Sequence, residues 1–495
     1  MKRHFAAAVV CTTICALDFD RLGARAETWF EIKSQNLTVW ANANDGNTRT
    51  LIWQIEQLRN VAKTLWPWLK VDLPKPLVIL AVKDEQSMKA LAPHYWEVKG
   101  GLRPASVWIS GPDQHYIAIR SDVRAKDSVM VNPHVSAYFS YANLALGSSF
   151  GRPLPLWVSR GLAGVLSNTL VRQNDVLVGT AIPWHLETLR ERRLPLAKMI
   201  SATRGSPELA RDEAARYFDA QCWAFVHYLM FGEEGRNAPR LNAYVGLLEK
   251  GQAPGDAFAA ALGSIDEYDR AFSAYVNRSI FAAVRINVDA GVDRERFPTR
   301  AMSPVESALA RGSFHAALGR EPEARALIAE VLKVDPNASG PSVLEGLLFE
   351  RAGKNQEAAN AYIKAASLGT TNAYALYRSA MLTWRDSDAA GLAVVEKNLA
   401  KAVEINPLFA AAHASLAEIR AELKRPSPTI VLHMHKAIAL EPSEPWHRII
   451  AARVLGRLNA FDEARKAAEG ARNLAADDPS AQREIERILR MLKDR

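Results

Sequence analysis

His134 and Tyr138 stand four residues apart in the run Pro-His-Val-Ser-Ala-Tyr that starts at Pro133. That spacing puts two side chains on one face of a helix. Zinc-dependent hydrolases use it as His-Glu-x-x-His, with two imidazoles on the metal and the glutamate as general base. Here the frame keeps His134, but Val135 occupies the place of the base and Tyr138 that of the second imidazole. A catalytic zinc needs three protein ligands, which one neutral imidazole does not supply. No His-Glu-x-x-His or inverted His-x-x-Glu-His occurs elsewhere in the chain.

Nucleophile–base chemistry finds no better local frame. His134 and Ser136 are two apart, about 200° around a helix, and so diverge; His433 and His435 share that geometry. Cys222 and His227 are five apart, about 140° around, and diverge as well. His94, His115 and His185 read as ordinary polar or core residues. Any catalytic pair must therefore be assembled across elements.

The elements around His134 can be read from periodicity. Asn132 as cap and Pro133 at the first position start a helix expected to run to about Leu146 and stop at Gly147. Leu156 to Asn168, Leu194 to Thr203 and Ala214 to Phe231 are further helices; the aromatic residues of the last read as core. Upstream, Leu37 to Ala41 alternates as a strand, and Thr48 to Trp66 has apolar residues at helical spacing, with Pro67 as its stop. Pro76 to Val82 reads as a buried strand. Ser106 to Ser110 and His115 to Ile119 are two strands around the turn Gly111-Pro112-Asp113. The first half is thus α+β, a small mixed sheet plus helices, over residues 27–283. Residues 284–303, charged and holding Gly291 and Pro298, read as a linker.

The remainder, 304–495, repeats. Gly319-Arg-Glu-Pro-Glu-Ala recurs at Gly353 as Gly-Lys-Asn-Gln-Glu-Ala, and Phe461-Asp-Glu-Ala repeats part of it. Pro336, Pro407, Pro442 and Pro479 close units at intervals of 71, 35 and 37, the first interval holding two units because the intervening one ends in Gly369-Thr370. A period of 34 with small residues at fixed places resembles the tetratricopeptide repeat. About five helix pairs are expected (305–338, 339–372, 373–408, 409–444 and 445–479), the third irregular around Asp386 to Gly391, followed by a closing helix. Such an all-α solenoid presents a concave binding face to a protein or peptide partner.

Lys2 and Arg3, the apolar run Phe5 to Leu17 and Ala24-Arg25-Ala26 resemble an export signal over residues 1–26. The run is about 13 residues, short of the roughly 20 that span a bilayer, and Val-Val before Cys11 is a poor lipidation box. The expected location is therefore the periplasm or cell envelope, with no transmembrane segment in the mature chain. Only Cys222 remains after such a cut, so no internal disulfide can form. The formal charge of +8 falls to +6, and the cations are scattered; they read as solvated helix faces rather than a nucleic-acid surface.

Residues from about 28 to 275 resemble the peptidase-MA-like gluzincins, a bacterial zinc metallopeptidase family often exported and fused to tetratricopeptide repeats. The likeness lies in the mixed sheet, the His134 helix and Leu154-Pro155-Leu156-Trp157-Val158-Ser159-Arg160-Gly161-Leu162-Ala163, beside the family's Leu-Pro-x-Trp-x-x-Glu-Gly-Leu-Ala. Phe218 to Leu229 is similar to the family's Tyr-Ala-Gln-Ser-Trp-Ala-x-Val-x-Tyr-Leu helix. The resemblance implies a zincin-like fold, and it implies that Arg160 stands where the third metal ligand, a glutamate, belongs. A guanidinium about 4 Å from a divalent ion repels it by roughly 8 kcal/mol at an effective dielectric of 20. The expected protein therefore has a degenerate site, His134, Val135, Tyr138 and Arg160, and holds no zinc or other cofactor. His134, Tyr138 and Arg160 either fill the old cleft or line a residual one in which Arg160 holds a peptide carboxylate. The resulting reading is a non-catalytic binding or scaffolding protein. Its alternatives are an active zinc peptidase with a displaced site, and a first half that merely caps the solenoid.

Overall fold

The computed structural model describes residues 27–97, 103–124, 131–203, 205–209, 212–475 and 478–493; the expected export signal lies outside them. Strands β1 (Phe30–Lys33), β2 (Thr38–Ala41), β3 (Leu77–Val82), β4 (Ser106–Ser110) and β5 (His115–Arg120) alternate with helices α1 (Asp45–Leu65), α2 (Glu85–Leu91) and the short α3 (His94–Glu97). Next come α4 (Val135–Ser149), α5 (Leu156–Ser167), a hairpin of β6 (Leu170–Val171) and β7 (Asp175–Val178), α6 (Pro183–Glu191), α7 (Leu196–Ser201) and α8 (Asp212–Phe231). Helices α9 (Ala238–Glu249), α10 (Pro254–Ala261) and α11 (Ile265–Tyr275) complete the helical part of this half.

The segment expected as a linker carries two strands instead. β8 (Val284–Asn287) pairs antiparallel with β7, and β9 (Thr299–Ala301) pairs antiparallel with β1. Both are edge strands whose side chains are mostly exposed. They therefore lack the apolar alternation by which a half-buried strand is recognised. The six-stranded sheet has the order β4-β5-β3-β2-β1-β9, and β6-β7-β8 form a second sheet.

Pleating turns successive residues to opposite faces of the larger sheet. Ile79 and Ala81 of β3, with Ile117 and Ile119 of β5, join the core built with α1, α4, α5 and α8. Val78, Leu80 and Val82, with Tyr116 and Ala118, point the other way. That second face is covered by α2 and by the first helix of the repeats, α12 (Pro304–Leu318), through Ala310, Phe314 and Ala317. The boundary drawn at residue 303 thus falls inside one shared core.

The repeats follow as α12 with α13 (Glu321–Val334), α14 (Ser339–Arg351) with α15 (Asn355–Ser367), and α16 (Ala373–Thr383) with α17 (Ala389–Ile405). Then come α18 (Ala410–Glu422) with α19 (Ser427–Leu440), α20 (Pro445–Arg457) with α21 (Phe461–Arg472), and the closing α22 (Pro479–Lys493). These are the five pairs the period of 34 implies. The third unit is irregular where expected: a short 3-10 turn at Trp384–Asp386 precedes α17. In four of the five units the corner between the two helices holds a left-handed residue. Gly319 (φ 76°) and Gly353 (φ 73°) supply it in two units, Lys424 (φ 52°) and Asn459 (φ 60°) in two others. Only glycine adopts that conformation without a Cβ penalty, so the glycine signal in the sequence marks two of these four corners.

Candidate functional site

Helix α4 begins one residue after His134, which forms the cap. Asn132 does not cap directly; its Oδ1 accepts the His134 N–H at 2.8 Å and its amide donates to the carbonyls of Ser167 and Thr169. The Asn132 side chain also bonds the hydroxyl of Tyr138. Tyr138 is 2% exposed and sits in the main core. Burial raises its pKa, so it is a neutral phenol. The His134 imidazole is held neutral by desolvation, which lowers its pKa to about 4, and its Nδ1 has no hydrogen-bond partner. The two residues lie at the start of one helix, as their spacing requires, with Tyr138 packed into the main core.

Arg160 faces a different helix. Its guanidinium meets the Asp219 carboxylate of α8 at 2.5 Å, with both side chains about one-third exposed. Burial raises the Asp219 pKa and Arg160 opposes the rise. The carboxylate a bound peptide was expected to offer Arg160 is thus already supplied from within the chain. Val135, expected in the place of a general base, has an alkyl side chain that cannot titrate. Among the described residues, no three His, Cys, Asp or Glu side chains converge as a metal ion would require.

The residues around Arg160 have their own reason to be there. Trp157 is fully buried, its ring 5.3 Å from Phe225 and 5.4 Å from Tyr244. Gly161 lies against α8, where a Cβ would come within 2.3 Å of Val226 Cγ2 and 2.5 Å of the Cys222 carbonyl oxygen. Trp157 and Gly161 thus set the α5–α8 crossing, which needs no metal.

The other sequence candidates scatter. Cys222 is buried, and desolvation pushes its thiol pKa well up, which favours the thiol over the nucleophilic thiolate. His227 is fully buried; its Nε2 lies 2.6 Å from the Gly179 carbonyl and its Nδ1 2.7 Å from the Tyr275 hydroxyl. A carbonyl only accepts, so Nε2 carries the proton and Nδ1 accepts from Tyr275. His433 pairs with His413, not His435: the two Nδ1 atoms are 2.7 Å apart, and His413 Nε2 is 3.1 Å from the Pro407 carbonyl. Sequence spacing gave no sign of that pair, because it joins α18 to α19.

His227 makes the fold acid-sensitive. Desolvation lowers its folded pKa to about 4, against about 6.5 unfolded. The unfolded state therefore binds the proton first, and the contribution present above pH 6.5 is lost as pH falls towards 4. Between pH 7 and 5 this residue alone should cost about 2 kcal/mol of stability. The check is its ring chemical shift: a neutral signal down to pH 5 is expected, and titration near 6.5 would refute the assignment.

No protein-family model matches the chain, and no curated protein matches it. Solved structures to which it is similar include MamA, at 19% identity over 35% of this chain and 92% of that one, with a TM-score of 0.28. YrrB, described as a TPR protein with an unusual peptide-binding site, is 14% identical over 36% of this chain and 90% of that one, with a TM-score of 0.30. PilF of Pseudomonas aeruginosa is 15% identical over 39% and 85%, with a TM-score of 0.29. At these values the likeness adds nothing to what the helix pairs show by themselves. Those pairs form a tetratricopeptide-type repeat. Among the described residues, no helix is long and apolar enough to cross a membrane.

Proposed function

We propose that this chain is an exported, non-catalytic relative of the gluzincin metallopeptidases, acting in the cell envelope as a binding and scaffolding protein. The observation that carries the reading is the Arg160–Asp219 ion pair. At the position the resemblance assigns to a metal-binding glutamate stands a cation satisfied by a neighbouring helix, beside Val135 and the buried Tyr138. The partner is a protein or peptide held by the repeats. The packing of α12 on α14, α18 on α20 and α20 on α22 supports a concave side lined by the first helix of each unit. On that side charges are paired along the stack, Arg378 with Glu350, and Arg453 with both Glu418 and Glu484. A partner would exchange these pairs for its own.

Elemental analysis after exposure of the purified chain to stoichiometric zinc and removal of the excess tests the reading. Essentially no retained zinc is expected. About one tightly held zinc per chain would overturn it, since that is the stoichiometry of a catalytic site.

A further inference from the structure

A cleft of about 1420 Å³ lies between the first half and the repeats. One wall is built from the first half, including the end of α4 with the loop to α5 (147–155) and the end of α9 with the loop to the start of α10 (248–254). The other is built from turns joining successive repeats, at 371–377, 405–410, 439–444 and 473–474. Those turns contact the opposite wall at the repeat interval. Asn372 donates to Asp113 Oδ2 (3.1 Å), Asn406 to the Pro74 carbonyl (3.0 Å), and the Leu440 carbonyl accepts from Lys70 (3.3 Å). The period of 34 thus becomes a ladder of contacts along the cleft.

The walls differ in charge. The first-half wall carries Lys70, Lys75, Arg152 and Lys250 against the carboxylates of Asp113 and Glu249; the repeat wall carries Glu441 and Glu444 and no Lys or Arg. None of those four cations has a carboxylate within ion-pair distance among the described residues. Glu441 already meets His447 Nε2 at 2.9 Å, and Glu444 accepts from the Trp446 N–H at 3.1 Å. Each carboxylate has a second oxygen, so a ligand that offers negative charge to the first-half wall and positive charge to the repeat wall matches both sides. A nucleic acid or polyphosphate would meet Glu441 and Glu444 and be repelled. A small molecule is undersized, since such sites occupy about 300–1,000 Å³. An extended peptide fits, because successive side chains of a strand point to opposite sides. Four turns spaced by helix packing at about 10 Å span roughly 30 Å, or about nine residues of strand. Tyr377 and Phe409 on the repeat wall (ring centroids 4.9 Å apart) and Phe150 on the facing wall line the same cleft and offer an apolar seat.

We propose that this cleft binds an extended peptide of alternating acidic and basic residues around an apolar anchor. The proposal deepens the binding-protein reading, on which it rests, by naming the partner's chemistry. The probe is a fluorescein-labelled nonapeptide with Glu at positions 1, 3, 7 and 9, Lys at positions 2, 4, 6 and 8 and Leu at position 5. It is compared with an isomer that has every Glu at one end and every Lys at the other. Anisotropy titration should show the alternating peptide binding about tenfold or more tighter, and the double substitution Arg152→Glu and Lys250→Glu should remove about as much. Both residues are exposed, so an unchanged thermal melt is expected and separates lost binding from lost fold. Equal affinity for the two isomers, indifference to the charge reversal, or tighter binding of a single-stranded DNA oligomer would overturn the proposal. Mass spectrometry of the recovered peptide keeps the two readings apart: a cleaved peptide sinks the non-catalytic reading, an intact but unbound one sinks the cleft.

Discussion

Replacing Phe314 by alanine should cost about 3–5 kcal/mol, the range for emptying a buried aromatic site, and should destabilise both halves together. The side chain is fully buried, with its ring edge-on to Tyr116 of the interior strand β5 at 5.9 Å. It belongs to a repeat helix, yet its neighbours are the sheet residues Val78, Leu80 and Ala118. Truncation leaves a void under the sheet that the surrounding strands cannot collapse to fill. In chemical denaturation, one transition shifted to lower denaturant is expected. Two separate transitions, with only the repeats weakened, would show that the sheet does not depend on α12. The same packing bears on the idea that the first half is a removable cap: a fragment of residues 304–495 would expose Ala310, Phe314 and Ala317, an apolar patch prone to association.

Gly161→Ala should cost about 3 kcal/mol, at the upper end for overpacking a close contact. The added methyl would meet a backbone carbonyl at 2.5 Å and Val226 Cγ2 at 2.3 Å; a change of rotamer could move Cγ2, but not the carbonyl or Val226 Cβ at 2.9 Å. Helices α5 and α8 must separate, disturbing the aromatic packing around Trp157. Gly147 is the control. It lies within α4, and a methyl group on its Cα would have no neighbour within 4 Å, so Gly147→Ala should be neutral or stabilising by up to about 1 kcal/mol. Equal melting temperatures for the two variants would mean that α5 and α8 do not cross as closely as described.

Both predictions fall on residues visible in the sequence but not interpretable there. Gly161 stands inside the motif that resembles a metal-site helix, and the sequence assigns it no partner. Its role depends on Cys222 and Val226, about sixty residues on. Arg160 was legible as a departure from a ligand pattern. That Asp219 answers it was not, because an ion pair between two helices leaves no spacing to count. The edge strands β8 and β9 were missed for a different reason: their side chains are exposed, so no apolar periodicity distinguishes them from a tether.

What the chain determines locally was readable. Helical spacing placed α1, α4, α5 and α8 to within a few residues, the apolar run 76–82 announced a strand buried on both faces, and the period of 34 gave the number of repeats. These are properties of one element and its own neighbours, and burial imprints them on consecutive residues. Tertiary structure alone decided what those elements face. It closed the sheet with a repeat helix, paired His413 with His433, and set Lys70, Lys75, Arg152 and Lys250 opposite Glu441 and Glu444. Such choices depend on contacts between residues tens to hundreds of positions apart, where the order of residues along the chain carries no period and only the packed fold brings charge and shape together.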